Sequence, residues 1–159
     1  MANYQINNLL ATTPTLQAVS STYKTMIQVL AQTTGLKRNK WYDIIVSMSG
    51  TPADQNMEWD VPRITATVTG VASTPVPLDA ADPACSAAGT INATAENAGV
   101  TANSSLLYMP GNIRATLRWV AAPGSELVGP ATNNAGLVLR TRSGSGYTGN
   151  AGCTALFSE

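Results

Sequence analysis

Histidine is absent from the 159 residues of the chain. Its absence removes the commonest general base and the commonest metal ligand. Charged residues are also scarce, at 11% of the chain, against about 25% in ordinary soluble proteins. The nine acidic residues are scattered, which leaves little for a carboxylate cage around calcium or magnesium. We therefore expect no metal site and no cofactor.

Familiar catalytic motifs are missing as well. The sequence contains no GxSxG, HExxH, Walker or GxGxxG pattern. Glu58 and Asp60 flank Trp59, and two carboxylates facing a cleft are what a glycosidase needs. We favour the simpler interpretation, in which they are solvated loop acids beside a core or interface tryptophan. The sequence thus predicts that the protein is not an enzyme.

Long apolar runs and a cysteine framework are also lacking. The longest apolar runs are short, such as Ile44-Ile45-Val46, so we expect no transmembrane helix and no membrane partner. The first residues carry no basic region followed by an apolar stretch, so we expect no secretory signal. Two cysteines, Cys85 and Cys153, are too few for a disulfide framework, and free or buried thiols are the simpler interpretation.

Small polar and apolar residues make up much of the composition in place of charged residues. Ala, Thr, Ser and Asn make up 67 of the 159 residues, and 44% of residues are hydrophobic. A chain of this length suits one domain with a real core. The formal net charge is zero, and a surface so poor in charge is weakly defended against association. We therefore expect a protein that is assembled with copies of itself or with partners.

Alternating apolar residues predict a mainly β protein. The clearest predicted strands cover 41–49, 63–69, 113–119, 136–142 and 151–157, and Pro110-Gly111 is predicted to form a turn. We expect an antiparallel β-sandwich, barrel or layered sheet of five to six short strands, with at most one N-terminal helix.

Three segments are harder to assign. Residues 1–13 are polar, and we interpret them as an N-terminal arm attached to a single domain over 14–159. Residues 14–33 fit either a helix that starts at Thr13-Pro14 or a strand from about 23 to 33. Residues 73–105 read as a long extended loop, which either becomes ordered against a neighbouring subunit or contains short strands such as one near 90–94.

The basic residues are concentrated in one turn and on two predicted strands. Arg114 and Arg118 share a face of one predicted strand, and Arg140 and Arg142 share a face of another. If these strands are neighbours, four guanidinium groups line one sheet face, which is what phosphate-backbone binding needs. The alternative is a solvent face whose arginines pair with acids. The candidate nucleic-acid or partner contact residues are Lys37, Arg38, Lys40, Arg114, Arg118, Arg140 and Arg142.

Residues 22–49 resemble a hairpin of the coat proteins of single-stranded RNA bacteriophages. In that family a β-rich strand is followed by a polar turn and by a strand led by aromatic residues. Here Arg38-Asn39-Lys40 stands in the turn, and Trp41-Tyr42 leads the second strand. The resemblance covers 28 of 159 residues. In overall character the chain is also similar to phage head-decoration or cement proteins, which are small β-rich modules, often trimeric, on a capsid lattice.

These resemblances imply a virion structural protein, either a capsid shell coat or a head-decoration subunit. Its partners would be copies of itself, a major capsid protein or, through the arginine face, nucleic acid. It would be located in the virion after assembly in the host cytoplasm. The alternative is a carbohydrate-binding or adhesive β-sandwich. In that case Trp41, Trp59 and Trp119 would supply the stacking platforms for sugars.

Overall fold

A computed structural model of the chain describes residues 1–9, 16–51, 53–144, 147 and 149–159. In that part of the chain it contains β-strands and no helix. The strands form two antiparallel sheets that pack together around a shared core. The predicted mainly β, sandwich-like class is therefore confirmed, and the sheets do not close into a barrel.

Strands account for most of the described residues. In chain order they are β1 (Asn3–Asn7), β2 (Gln17–Ala18), β3 (Lys24–Leu30), β4 (Lys40–Ser49), β5 (Asn56–Ile64), β6 (Val71–Ala72), β7 (Val76–Pro77), β8 (Ala88–Ile91), β9 (Val100–Asn112), β10 (Leu117–Val120), β11 (Leu127–Val128), β12 (Gly136–Ser143) and β13 (Asn150–Ser158). Within the described ranges this is more than the five to six predicted, because short strands are inserted between the long ones.

Sheet I has seven strands. Its order is β10-β4-β13-β1-β7, with β11 also paired to β4 and β2 to β13. The central strands β4 and β13 pair along their whole length, from Asn150 opposite Ser49 to Ser158 opposite Lys40. A register shift between Leu156 and Phe157 changes the alternation, so that Trp41 as well as Ile44 lies in the core.

Sheet II has six strands in the order β6-β8-β3-β12-β5-β9. Strand β12 lies in the middle, antiparallel to β3 on one side and to β5 on the other. Strand β9 forms one edge and pairs with β5 from Asn112 to Leu107 and then at Ser105 and Val100, with register shifts on both sides of Pro62. Between the two sheets, aromatic rings from both fill the centre of the core. These fully or almost fully buried side chains are Tyr4, Trp41, Trp59 and Phe157.

Several predicted strands are confirmed. The segments 41–49, 136–142 and 151–157 correspond to β4, β12 and β13 with shifts of one residue at their ends. The recurrence of small or apolar residues at every second position identified them. On β13, for example, Ala151, Cys153, Ala155 and Phe157 are all buried.

Three other predictions are wrong. The strand predicted at 63–69 is placed too late in the chain, since β5 ends at Ile64 and includes Glu58 and Asp60, which were expected to be loop acids. The predicted turn at Pro110-Gly111 lies inside β9, which tolerates proline because β9 is an edge strand. The predicted strand at 113–119 is shortened to β10, because residues 113–116 turn between the two sheets.

The three ambiguous segments also have definite structures. The described start of the arm forms β1, which pairs with both β13 and β7 of the same chain. Within 14–33 the strand alternative holds, as β3, while the helix start at Thr13-Pro14 lies outside the described residues. Residues 73–105 contain β7, β8 and the start of β9, so the short-strand alternative holds there.

Strands β3 and β4, which lie within the segment that resembles a phage coat hairpin, do not pair with each other. Strand β3 belongs to sheet II and β4 to sheet I. The connection between them, residues 31–39, therefore crosses from one sheet to the other at one end of the sandwich. The hairpin that the resemblance implies is thus not formed in this structure.

Candidate functional site

The four predicted arginines do not line one face. Arg118 lies on β10 in sheet I, whereas Arg140 and Arg142 lie on β12 in sheet II. Arg114 precedes β10 in a turn and so does not share a strand with Arg118. The expected stripe required the two strands to be neighbours, and the sheet order separates them.

Each of the two arginines near sheet I has a carboxylate partner. Arg118 binds Asp43 on the adjacent β4 through two hydrogen bonds, Nε to Oδ1 at 3.0 Å and Nη2 to Oδ2 at 2.6 Å. Arg114 binds Asp54 at 3.1 Å, with both side chains largely exposed. An exposed pair such as Arg114 and Asp54 stabilises a protein little, about 0–1 kcal/mol.

The arginines of sheet II form a more deeply buried group on its outer face, here called the Tyr23 cluster (Tyr23, Glu58, Asp60, Arg140 and Arg142). Arg140 holds Asp60 by Nε at 2.8 Å and Nη2 at 2.6 Å, and Arg142 Nε donates to Glu58 at 2.7 Å. Both guanidinium groups lie over the Tyr23 ring, at 4.2 and 5.0 Å from its centroid. Cation–π contact and ion pairing thus act on the same two arginines.

Side chains from neighbouring segments complete the hydrogen bonding of this cluster. Tyr23 donates its hydroxyl to Glu58 at 3.2 Å, and Ser105 donates to the Asp60 oxygen Oδ1. Glu96 also pairs with Arg140. The hydrogen bond from Arg142 holds the pKa of Glu58 below its usual range, although burial acts in the opposite direction.

The same environment affects the tyrosines. Burial raises the pKa of Tyr23 and of Tyr108, and the nearby Glu58 carboxylate raises both further. Every charged member of the Tyr23 cluster therefore has a partner of opposite charge within this chain. Removing one partner alone would leave an uncompensated charge on the outer face of sheet II.

Glu58 and Asp60 do not have the environment that the sequence suggested. Both lie on β5 with nearly buried carboxylates, each held by an arginine, and neither is a solvated loop acid. Trp59 between them points into the core and is 2% exposed, and Trp41 is fully buried. Trp119 packs against the core as a partly buried side chain. In this fold Trp41 and Trp59 cannot stack on a sugar.

The remaining predicted cations lie at the end of the sandwich where β4 begins. Lys37 pairs with the buried carboxylate of Glu159 at 3.5 Å. Lys40 is the first residue of β4 and lies opposite Val128 of β11. Arg38 lines a pocket of about 530 Å³, here called the Arg38–Arg63 pocket, together with Arg63 and residues 128–132. In the described part of the chain no carboxylate pairs with Arg38 or Arg63.

Arg63 was missed by the sequence reasoning. It is the next to last residue of β5, whereas Arg38 precedes β4 in the other sheet. Arg63 Nε donates to the Val128 carbonyl at 3.1 Å, which fixes the guanidinium against one wall of the pocket. No local pattern brings residues 38 and 63 together, since their proximity depends on how the two sheets are packed.

Strand β9 presents the longest free sheet edge in the described structure. It has 13 residues and pairs with β5 on one side. Its sequence, VTANSSLLYMPGN, contains no Asp, Glu, Lys or Arg. Tyr108 is 52% exposed on this strand, and Leu106, Leu107 and Met109 are only partly buried. The other terminal strands, β6, β7, β10 and β11, have two to four residues each.

The two cysteines are both free thiols. Cys153 is buried in the core, and burial raises the pKa of its thiol. Burial is also the main cause that raises the pKa of Cys85, to about 12. Because the thiolate is the reactive species, neither side chain is prepared for nucleophilic chemistry.

Among the described residues no group of three or more His, Cys, Asp or Glu side chains is arranged to hold a metal ion. None of the described segments forms a helix long and apolar enough to cross a membrane. No protein-family model, no curated protein and no solved structure matches the chain.

Proposed function

We propose that the protein is a virion structural subunit, a capsid shell coat or a head-decoration protein, that acts by assembly and not by catalysis. The observation that carries the proposal is the 13-residue uncharged edge of β9. A free sheet edge offers a row of unpaired N–H and C=O groups to another chain. Proteins that remain monomeric usually protect such an edge with charged side chains, proline, bulges, short strands or a covering segment. Strand β9 contains Pro110 and register shifts but no charged side chain.

Composition and fold support the same proposal. The chain has 11% charged residues and no net charge, which favours association over solubility as separate molecules. Four of its six arginines are neutralised by carboxylates of the same chain, which leaves little positive charge for a nucleic-acid backbone. Protein surfaces, other copies of this chain or a major capsid protein, are therefore the favoured partners.

The proposal is tested by measuring the oligomeric mass of the protein by size-exclusion chromatography with light scattering, followed by electron microscopy. We expect rings, trimers or closed shells for the natural sequence. Ala102→Lys with Ser104→Lys places two charges on the β9 edge and should reduce the assembly. Ala122→Lys, in an exposed turn outside β9, is the matched control and should not. A natural protein that stays monomeric at every concentration would contradict self-assembly.

Absorbance of the purified assembly separates the two forms of the proposal. A shell coat that packages nucleic acid should copurify with it and show a raised ratio of absorbance at 260 and 280 nm. A decoration protein should show the ratio of protein alone. Because most arginines are paired, we expect the second result, and Arg38→Ala with Lys40→Ala should leave the ratio unchanged.

A further inference from the structure

Unpaired positive charge is concentrated at a single place among the described arginines. Arg114, Arg118, Arg140 and Arg142 all pair with carboxylates, whereas Arg38 and Arg63 do not. These two side chains line the same pocket, although Arg63 lies on β5 of sheet II and Arg38 in the connection that leads into β4 of sheet I. Such a convergence places two planar donor groups around one space of about 530 Å³.

Two guanidinium groups in one pocket define the chemistry of its ligand. Guanidinium donors match the geometry of carboxylate and phosphate oxygens and bind them through paired hydrogen bonds. Arg63 uses Nε for the Val128 carbonyl, so its terminal nitrogens remain for a ligand. The pocket is thus suited to an anionic group that the described part of the chain does not itself supply.

Three carboxylates have no basic partner among the described ion pairs, Asp79, Asp82 and Glu126, and the first two lie in one exposed turn. Asp79 and Asp82 are the ends of this turn, in which the Asp82 N–H donates to the Asp79 carbonyl at 3.0 Å. Asp79 Oδ1 accepts the Ala81 N–H at 2.9 Å, which fixes one carboxylate oxygen and leaves the second oxygen for an external donor. No cation in the described structure pairs with either carboxylate. The turn is here called the Asp79–Asp82 turn.

The pocket and the turn lie at the two ends of one row across sheet I. Val128 pairs with Lys40, Lys40 with Ser158, and Ser158 with Asn3. Asn3 then accepts the N–H of Leu78, next to the turn, at 2.8 Å. Four strand spacings of about 4.8 Å separate the ends of this row by about 19 Å. The row thus joins opposite edges of the sheet. The segments beside the two sites touch where Ser86 Oγ donates to the Gly35 carbonyl at 3.3 Å, but no ion pair joins the two sites within the described part of one molecule.

We infer that the Arg38–Arg63 pocket of one molecule binds the carboxylates of the Asp79–Asp82 turn of a second copy. Opposite edges of the same sheet then meet in a head-to-tail contact, which generates a ring if the rotation closes and an open array if it does not. Exposed apolar residues are close in sequence to both sites, since Leu36 is two residues before Arg38 and Val76 and Leu78 precede Asp79. This inference rests on the proposed function, because it names the contact through which the subunit assembles.

The inference is tested by reversing the charges of each site. Arg38→Glu with Arg63→Glu gives a pocket variant, and Asp79→Lys with Asp82→Lys gives a turn variant. Each places like charges at the contact, so the concentration needed for half-assembly should rise at least about 10-fold. The chain with all four substitutions has complementary charges again and should recover assembly. All four positions are on the surface or partly exposed, so circular dichroism should show an intact fold.

Arg114→Glu is the control, since it reverses an exposed arginine outside both sites. It should leave the concentration for half-assembly unchanged. If the natural chain assembles but the pocket and turn variants assemble equally well, the inference is wrong and the proposed function stands. If both variants weaken assembly and the fourfold variant does not recover, the two sites do not contact each other and the inference is also wrong.

Two further outcomes separate the inference from the proposed function. If the natural chain does not assemble at any concentration, the proposed self-assembly is contradicted, whatever the variants do. Inorganic phosphate is the probe for a different occupant of the pocket. If phosphate binds the natural protein through Arg38 and Arg63 without competing with assembly, the pocket serves a free anion and the inference is overturned.

Discussion

Replacing Arg140 is the strongest test of how much the ion pairs of the Tyr23 cluster matter for the stability of the fold. Its side chain is 14% exposed, and it holds the Asp60 carboxylate, whose side chain is 4% exposed. Arg140→Met keeps an apolar stem of similar length but removes the hydrogen bonds at 2.6 and 2.8 Å. Asp60 would then keep only the Ser105 hydroxyl as a donor among the contacts described above.

The expected cost follows from this burial. Removing one partner of a buried ion pair leaves an uncompensated charge and costs about 3–5 kcal/mol. A protein of this size has a total stability of about 5–15 kcal/mol, so the loss is a large part of the total. The corresponding fall in Tm is about 6–20 °C, at about 2–4 °C for each kcal/mol.

Urea unfolding followed by tryptophan fluorescence measures this cost, because Trp41 and Trp59 are buried in the core. The protein is kept dilute so that assembly does not contribute to the measured stability. Arg114→Met is the matched control, since Arg114 and Asp54 are 56% and 81% exposed, and it should cost less than about 1 kcal/mol. The reasoning is refuted if Arg140→Met costs no more than this control.

A double variant separates the ion pair from simple packing. Asp60→Leu combined with Arg140→Met removes both charges and fills the space with apolar groups. Replacing a buried pair in this way is often neutral or stabilising. The double variant should therefore be more stable than Arg140→Met alone. A double variant that is less stable than the single one would show that Asp60 has another role in the fold.

Three further predictions concern acid stability, the core and the thiols. The hydrogen bond from Arg142 lowers the pKa of Glu58 in the folded state. The stabilising contribution of Glu58 is therefore present above its ordinary pKa and is lost as the pH falls through the lowered value. Arg142→Met should move acid unfolding to higher pH, as measured by urea titrations at a series of pH values. Trp59→Ala should cost about 3–5 kcal/mol in urea unfolding, because the ring is 2% exposed, and intact stability would contradict its place in the core. Neither Cys85 nor Cys153 should react with a thiol reagent at pH 8 before urea unfolds the protein, and fast labelling of the native state would contradict their raised pKa values.

The strands that were predicted from the sequence are those in which a buried residue recurs at every second position. On β13 the buried residues Ala151, Cys153, Ala155 and Phe157 alternate with less buried ones, so the period of two is visible in the sequence. Strand β5 was missed because Glu58 and Asp60 occupy its outer face beside Trp59. Their charges are neutralised by Arg142 and Arg140, 84 and 80 residues later in the chain. No local pattern reveals such a partner.

Only part of the candidate site could be predicted from the sequence, because its residues come together from distant parts of the chain. Counting charges indicated that the arginines are not randomly placed, and the alternative in which they pair with acids describes four of the six. Arg38 was selected with its neighbours in the connection before β4. Its pocket partner, Arg63, became visible only when the two sheets were packed against each other.

The native mass of the protein as a function of concentration tests self-assembly most directly. Light scattering should give a multiple of the 16.5 kDa chain mass, and electron microscopy of the same sample should show rings, trimers or shells. The variant with lysines at positions 102 and 104 should shift toward the single chain, whereas Ala122→Lys should not. A natural protein that remains a single 16.5 kDa species at the highest concentration would contradict the proposed assembly.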